Sequence, residues 1–81
     1  LEESRELVVN EIRELLNSGN AQIELRFKGT AMMRAKAHHH RNNALTLIAN
    51  FQLHELRNDV VKYLDRPRHQ KLAEWTLEQL S

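Results

Sequence analysis

The sequence predicts an all-α domain, a helical hairpin followed by a short C-terminal helix, dimerising into a four-helix bundle. Three observations carry that expectation. Apolar residues recur at helical spacing through residues 2–17 and again through residues 31–64. The second stretch contains no glycine or proline and is built mainly from good or neutral helix formers. Its apolar residues form two stripes, and two stripes need two neighbours where the first helix supplies one.

The first element runs from about Glu2 to Asn17. Val8, Ile12, Leu15 and Leu16 mark its apolar side, and Glu2, Glu3 and Glu6 suit the positive end of its dipole. Gly19, after Asn17-Ser18, is placed to end it in a left-handed conformation. From Ala21 to Lys28, Ile23, Leu25 and Phe27 alternate with polar residues, the two-residue period of a possible short strand at 21–28. Such a strand would pair with its symmetry mate; otherwise the stretch is an extended or helical connector whose periodicity misleads.

Gly29-Thr30 punctuates the chain, and Thr30 can cap the start of a second helix. In that long helix, Met33, Ala37, Ala44, Ile48 and Phe51 form one stripe. Leu45, Ala49, Leu56, Val60 and Tyr63 form the other, with Leu53 and Leu64 beside them. If continuous, the helix is about 50 Å long at about 1.5 Å per residue, and His39, His40, Asn42 and Asn43 are its weak point. Pro67 ends it, with Arg66 at the bend and Asp65 available as a cap. A last helix from about Pro67 to Leu80 packs Leu72, Trp75 and Leu80 back on the bundle.

At 81 residues with four aromatics and no cysteine, the chain is one domain, 1–81, with a core near the lower limit for stability. A second subunit is the expected remedy, since there are no disulfide staples. No apolar run is long enough to cross a bilayer, and a soluble protein with no membrane partner is expected.

Catalysis is not expected. There is no cysteine, and Ser4, Ser18 and Ser81 have no histidine–carboxylate signature beside them. Glu11 and Glu14 read as a solvated face, and Gly19 and Gly29 are too few for a phosphate-cradling loop. His38-His39-His40 points in three directions on a helix, so neither a metal site nor any other cofactor is expected. Beside Arg34 and Arg41, His38 reads instead as a cation that titrates near neutrality.

The net charge of +1 hides a strong asymmetry along the chain. Residues 1–20 carry −3, residues 21–71 carry +6 and the remainder −2, with no acidic side chain between Glu24 and Glu55. One surface is thus prepared for an anion. Lys28, Arg34, Lys36, His38 and Arg41 fall in the acid-free stretch, and Arg34, His38 and Arg41 share one helix face as solvated side chains. Arg57 and Lys62 continue the charge, while Arg66, Arg68 and Lys71 cluster at the bend. Arg5, on the acidic first helix, reads as an ordinary surface residue. Aromatics are too few for stacking single-stranded bases, and no major-groove recognition module is evident. A duplex read by shape, double-stranded RNA first, fits a long rigid basic helix pair.

The arrangement of an amphipathic helix, a long basic helix and the segment Tyr63-Leu64-Asp65-Arg66-Pro67-Arg68-His69-Gln70-Lys71-Leu72 resembles the small RNA-silencing suppressor proteins of nodaviruses. The likeness covers about Thr30 to Trp75 in outline, and Arg66 matches the basic residue just before the family's proline. It implies a viral protein of the host cytoplasm, an antiparallel homodimer that lays its second helices along an RNA duplex. Bound duplex would be shielded from host dicing and from loading as small interfering RNA. Two other functions suit the same residues. One is a helical protein-interaction module or inhibitor docking its basic face on an acidic partner. The other is a small DNA-binding regulator using residues 21–28 as a paired β-ribbon.

Overall fold

The computed structural model describes residues 2–26, 28 and 36–81. These residues are mostly helical, with turns between the helices and no strand among them. α1 spans Glu2–Leu16, α2 Asn20–Arg26, α3 Ala37–Asn50, α4 Arg57–Val61 and α5 Gln70–Gln79, and 3-10 turns at His54–Leu56 and Lys62–Asp65 flank α4.

α1 forms as its spacing predicts, with one correction. Val9, not Val8, joins Ile12 and Leu16 in the core, at 4 % exposure against 47 %. α1 runs antiparallel to α3: Arg5 near its start reaches the Gln52 carbonyl, and Ser18 just past its end accepts from Arg41. Its other flank is tied to the segment 52–62 by polar contacts. Arg5 grips Glu55 with two bonds of 2.8 and 2.9 Å. The buried Asp59 carboxylate accepts from Arg13 at 3.3 Å and from Asn17 at 3.1 Å. Lys62 lies 3.9 Å from the same carboxylate. Arg5 is therefore part of the tertiary structure and not a free surface residue.

The possible strand at 21–28 is a helix as far as Arg26, which corrects that expectation. Gly19 accepts from the Ile23 N–H, and its own N–H donates to Gln22 Oε1 at 3.2 Å, half of a capping box. Of the alternating set, Ile23 is buried against α3 and Leu25 is exposed, while Phe27 lies outside the described residues. Arg26 reaches back to Glu11 and Glu14 of α1, which holds the α1–α2 corner.

The long second helix stops at Asn50. The sequence placed its weak point at His39–Asn43, yet those residues are helical. The break falls where Gln52 adopts φ 53°, the left-handed conformation. The Leu53 N–H then returns to the Ile48 carbonyl at 3.0 Å, and its side chain enters the core. After this turn the chain folds back, so the second stripe is split, with Leu45 and Ala49 on α3 and Leu56, Val60 and Tyr63 in the helical stretch beyond. Ala44, Leu45, Ile48 and Ala49 of α3 are covered by α1, α2 and α5, and Leu56, Val60 and Tyr63 close the same core. Neighbours from within the chain thus cover these stripe residues, while Met33 lies outside the described residues. Phe51, expected in a stripe, is 63 % exposed.

Arg66, before Pro67, is extended at φ −104°, ψ 110°, as its position requires. Asp65 does not cap the last helix, which begins only at Gln70 with no side-chain cap. α5 contributes Ala73, Thr76 and Leu80 to the core while Trp75 remains exposed. It lies beside α3 and parallel to it. His69 bonds Asn42 at 2.7 Å, Thr76 Oγ lies 3.3 Å from the Leu45 carbonyl, and Gln52 donates to Gln79 O at 2.9 Å.

Candidate anion-binding groove

Because α3 and α5 are parallel, both begin at the same end of the molecule. Helix N-termini carry unsatisfied N–H groups and the positive end of the dipole, so the two reinforce each other there. The bend 65–68 delivers its charges to the same place. The result is an open groove of about 700 Å³ lined by Asn20, Glu24, Lys36, Ala37, His38 and Arg41 on one side. Asp65, Arg66, Pro67, Arg68 and His69 line the other.

Arg41 forms part of the lining. It is 6 % exposed, and its guanidinium is held by oxygens of the α1–α2 corner: Nη1 donates to Asn20 Oδ1 at 2.6 Å and Nη2 to Ser18 O at 2.9 Å. Its Nε–H is buried with no acceptor. Both named acceptors are neutral, and no carboxylate of the described residues forms an ion pair with it. A buried cation without a counter-ion is costly, and a bound anion would offset that cost. The expectation of a solvated helix-face arginine is thus corrected: Arg41 is a structural clamp whose charge is left over.

Around it the tunable groups are histidines. Arg68 Nη1 donates to His38 Nδ1 at 2.6 Å, so that nitrogen is an acceptor and the ring proton is on Nε2. Burial, then the charges of Arg68, His39, Lys36 and Arg41, push His38 below its ordinary value. His69 is lowered in the same way, by burial first and then by Arg41, Arg66, His38 and Arg68. His69 also meets the Tyr63 ring edge-on, with centroids 5.3 Å apart. Arg66 stacks over the same Tyr63 ring, its Cζ 4.5 Å from the centroid. Tyr63 itself is anchored, its hydroxyl donating to Leu16 O at 2.6 Å.

The residues singled out from the sequence therefore separate. Lys36, His38, Arg41, Arg66 and Arg68 come together in the groove. Arg34 lies outside the described residues. Lys28 is exposed in the turn after α2, Arg57 opens α4 and Lys71 is exposed on α5, none of them lining the groove. Lys62 faces Asp59 and Asn17 on the α1 side. Sequence reasoning missed Asn20, Glu24, Asp65 and His69. Only His69, three residues past Arg66 in a basic run, carried a local signal. Among the described residues no group of three His, Asp or Glu side chains is placed to hold a metal ion. No described helix is long and apolar enough to cross a membrane.

No family model, curated protein or solved structure matches this chain. The groove's chemistry has to be read from its own residues. Four permanent cations (Lys36, Arg41, Arg66 and Arg68) face Glu24 and Asp65, and the surplus is reinforced by two helix starts. Outside it, Arg5, Arg13 and Arg26 are all engaged by carboxylates. The arrangement can hold an anion by charge-assisted hydrogen bonds.

Proposed function

We propose that the chain binds double-stranded RNA through phosphate contacts in this groove, without reading base sequence. The observation that carries the reading is the buried charge of Arg41, ion-paired with no carboxylate of the described residues, among the exposed Lys36, Arg66 and Arg68. Duplex is favoured over single strands because, among the described residues, no Phe, Tyr or Trp lines the groove to stack on unpaired bases. The choice of RNA over DNA, and the shielding of duplexes from host silencing, rest on the nodavirus resemblance. The β-ribbon alternative has lost its strand, since Asn20–Arg26 is helical.

A homodimer belongs to the proposal, with a different contact from the one first expected. Ile48, Leu56 and Val60 are fully buried inside a single chain, so the exposed Leu47 and Phe51, one turn apart at the end of α3, are the better candidates. Sedimentation at micromolar concentration checks this, with twice the chain mass expected.

The binding test is a gel-shift series with duplex RNA, duplex DNA and single-stranded RNA across a salt range. Duplex RNA affinity should fall steeply with salt and ignore sequence. Lys36→Ala and Arg68→Ala should each flatten the log–log salt plot by roughly one unit per lost phosphate contact. Salt-insensitive binding, or preference for an acidic protein over any duplex, would transfer the groove to the protein-interaction reading.

A further inference from the structure

The cations of the groove converge on one depression. A side chain that tracks a duplex backbone needs company spaced along the groove of the nucleic acid, one cation per phosphodiester. Here Lys36, His38, Arg41, Arg66 and Arg68 all line a single concavity, and the α3 N-terminus opens into it through Lys36, Ala37 and His38. The N–H groups of Ala37 and His38 precede the first intrahelical bonds, whose donors are His39 and His40 to the Lys36 carbonyl. Lys36 makes no side-chain cap on this helix. Arg41 adds a cation that is nine-tenths buried, with an unpartnered Nε–H and no carboxylate partner among the described residues.

Concentrated charge of this kind discriminates between phosphate types. A phosphodiester carries a single negative charge and two free oxygens. A terminal phosphomonoester carries close to two charges at neutral pH and three strong acceptor oxygens. It can use donors arriving from several sides at once, which a diester inside a backbone cannot turn to meet.

We infer that the groove is an end site, which takes the terminal phosphomonoester of an RNA duplex in preference to its internal phosphodiesters. Lys36, Arg66 and Arg68 close around the phosphate, the α3 N–H groups donate to it, and the Arg41 charge attracts it from below. This inference rests on the proposed duplex-RNA reading and adds to it a preference for which phosphate is held.

The test compares two blunt RNA duplexes of identical sequence, one with 5′-phosphates and one with 5′-hydroxyls, in a competition assay at physiological salt. The phosphorylated duplex should bind at least about tenfold tighter, the effect of one further charge-assisted hydrogen bond. Inorganic phosphate at millimolar concentration should erode that difference, and Lys36→Ala and Arg68→Ala should shrink it while thermal melts confirm the fold. Equal affinity for the two duplexes overturns the end-site inference and leaves duplex binding standing. Failure of both duplexes to bind overturns the duplex-RNA reading and this inference with it.

Discussion

Arg41 Nη2 donates to the Ser18 carbonyl at 2.9 Å across 23 positions of sequence, and this bond fixes the first corner of the chain onto the start of α3. Its companion from Nη1 to Asn20 at 2.6 Å does the same for α2. A residue that looked like a free phosphate contact is thereby made a fold determinant.

Arg41→Ala should therefore destabilise the protein, by roughly 2–4 kcal/mol. That is the scale of two hydrogen bonds from a charged group lost from a buried site. Urea denaturation measures it, and a loss below about 0.5 kcal/mol would mean that the clamp is idle. Arg68→Ala, on the exposed rim of the same groove, should leave the urea midpoint nearly unchanged.

At Gln52 the left-handed φ of 53° separates two substitutions that are otherwise alike. Both Gln52→Ala and Gln52→Gly remove the side-chain bonds to Ala49 O and Gln79 O. Glycine alone accepts the backbone angle without strain, so Gln52→Gly should be the more stable of the two by about 1 kcal/mol. Equal stabilities would indicate that the turn relaxes in solution.

Glu55 is held at about 2 by the two-pronged bond from Arg5, the largest cause, with a backbone bond and the Arg5 and His54 charges adding to it. A depressed carboxylate favours the folded state above its ordinary value of 4.5, and that contribution fades as pH falls toward 2. Carboxyl titration observed by NMR should find Glu55 well below the other glutamates. In Arg5→Ala it should return toward the ordinary range.

For His38 and His69 the folded state favours the neutral ring. Stability from these groups is therefore present above the ordinary histidine value of 6.5. It declines as pH drops from there to the lowered folded values and then levels off. Imidazole titrations should show both below 6.5, and binding of an anion in the groove should raise both, His38 above all. An unmoved His38 in saturating duplex RNA would place the ligand elsewhere.

The helical class was legible because α1 and α3 carry real three- and four-residue periodicities, and the Pro67 bend because proline constrains Arg66 directly. The break at Gln52 was invisible. The left-handed residue there is neither glycine nor asparagine, and what holds it is a side-chain amide reaching Gln79, 27 positions away. Ile23, Leu25 and Phe27 imitated a strand because two-residue alternation over so short a run says little, and contact with α3 decided the outcome. The basic residues of the site were visible one by one. Which of them meet depended on α5 lying parallel to α3, and nothing local encodes that choice. Arg41 and Arg34 looked equivalent on a helical face, yet one is sealed by Ser18 and Asn20 and the other lies outside the described residues.

The parallel pair has one more effect, at the end remote from the groove. Where α3 and α5 finish, the Gln52 amide lies between their last carbonyls, near the Arg5–Glu55 pair. The antiparallel α1, about as long as α3, opposes the α3 dipole, so what remains along the common axis is chiefly the share of α5, positive toward Lys36 and Arg68. Under the proposed duplex-RNA reading, that moment would turn the molecule groove first toward the polyanion before contact. The orientation is set by the backbone and survives the loss of any one side chain.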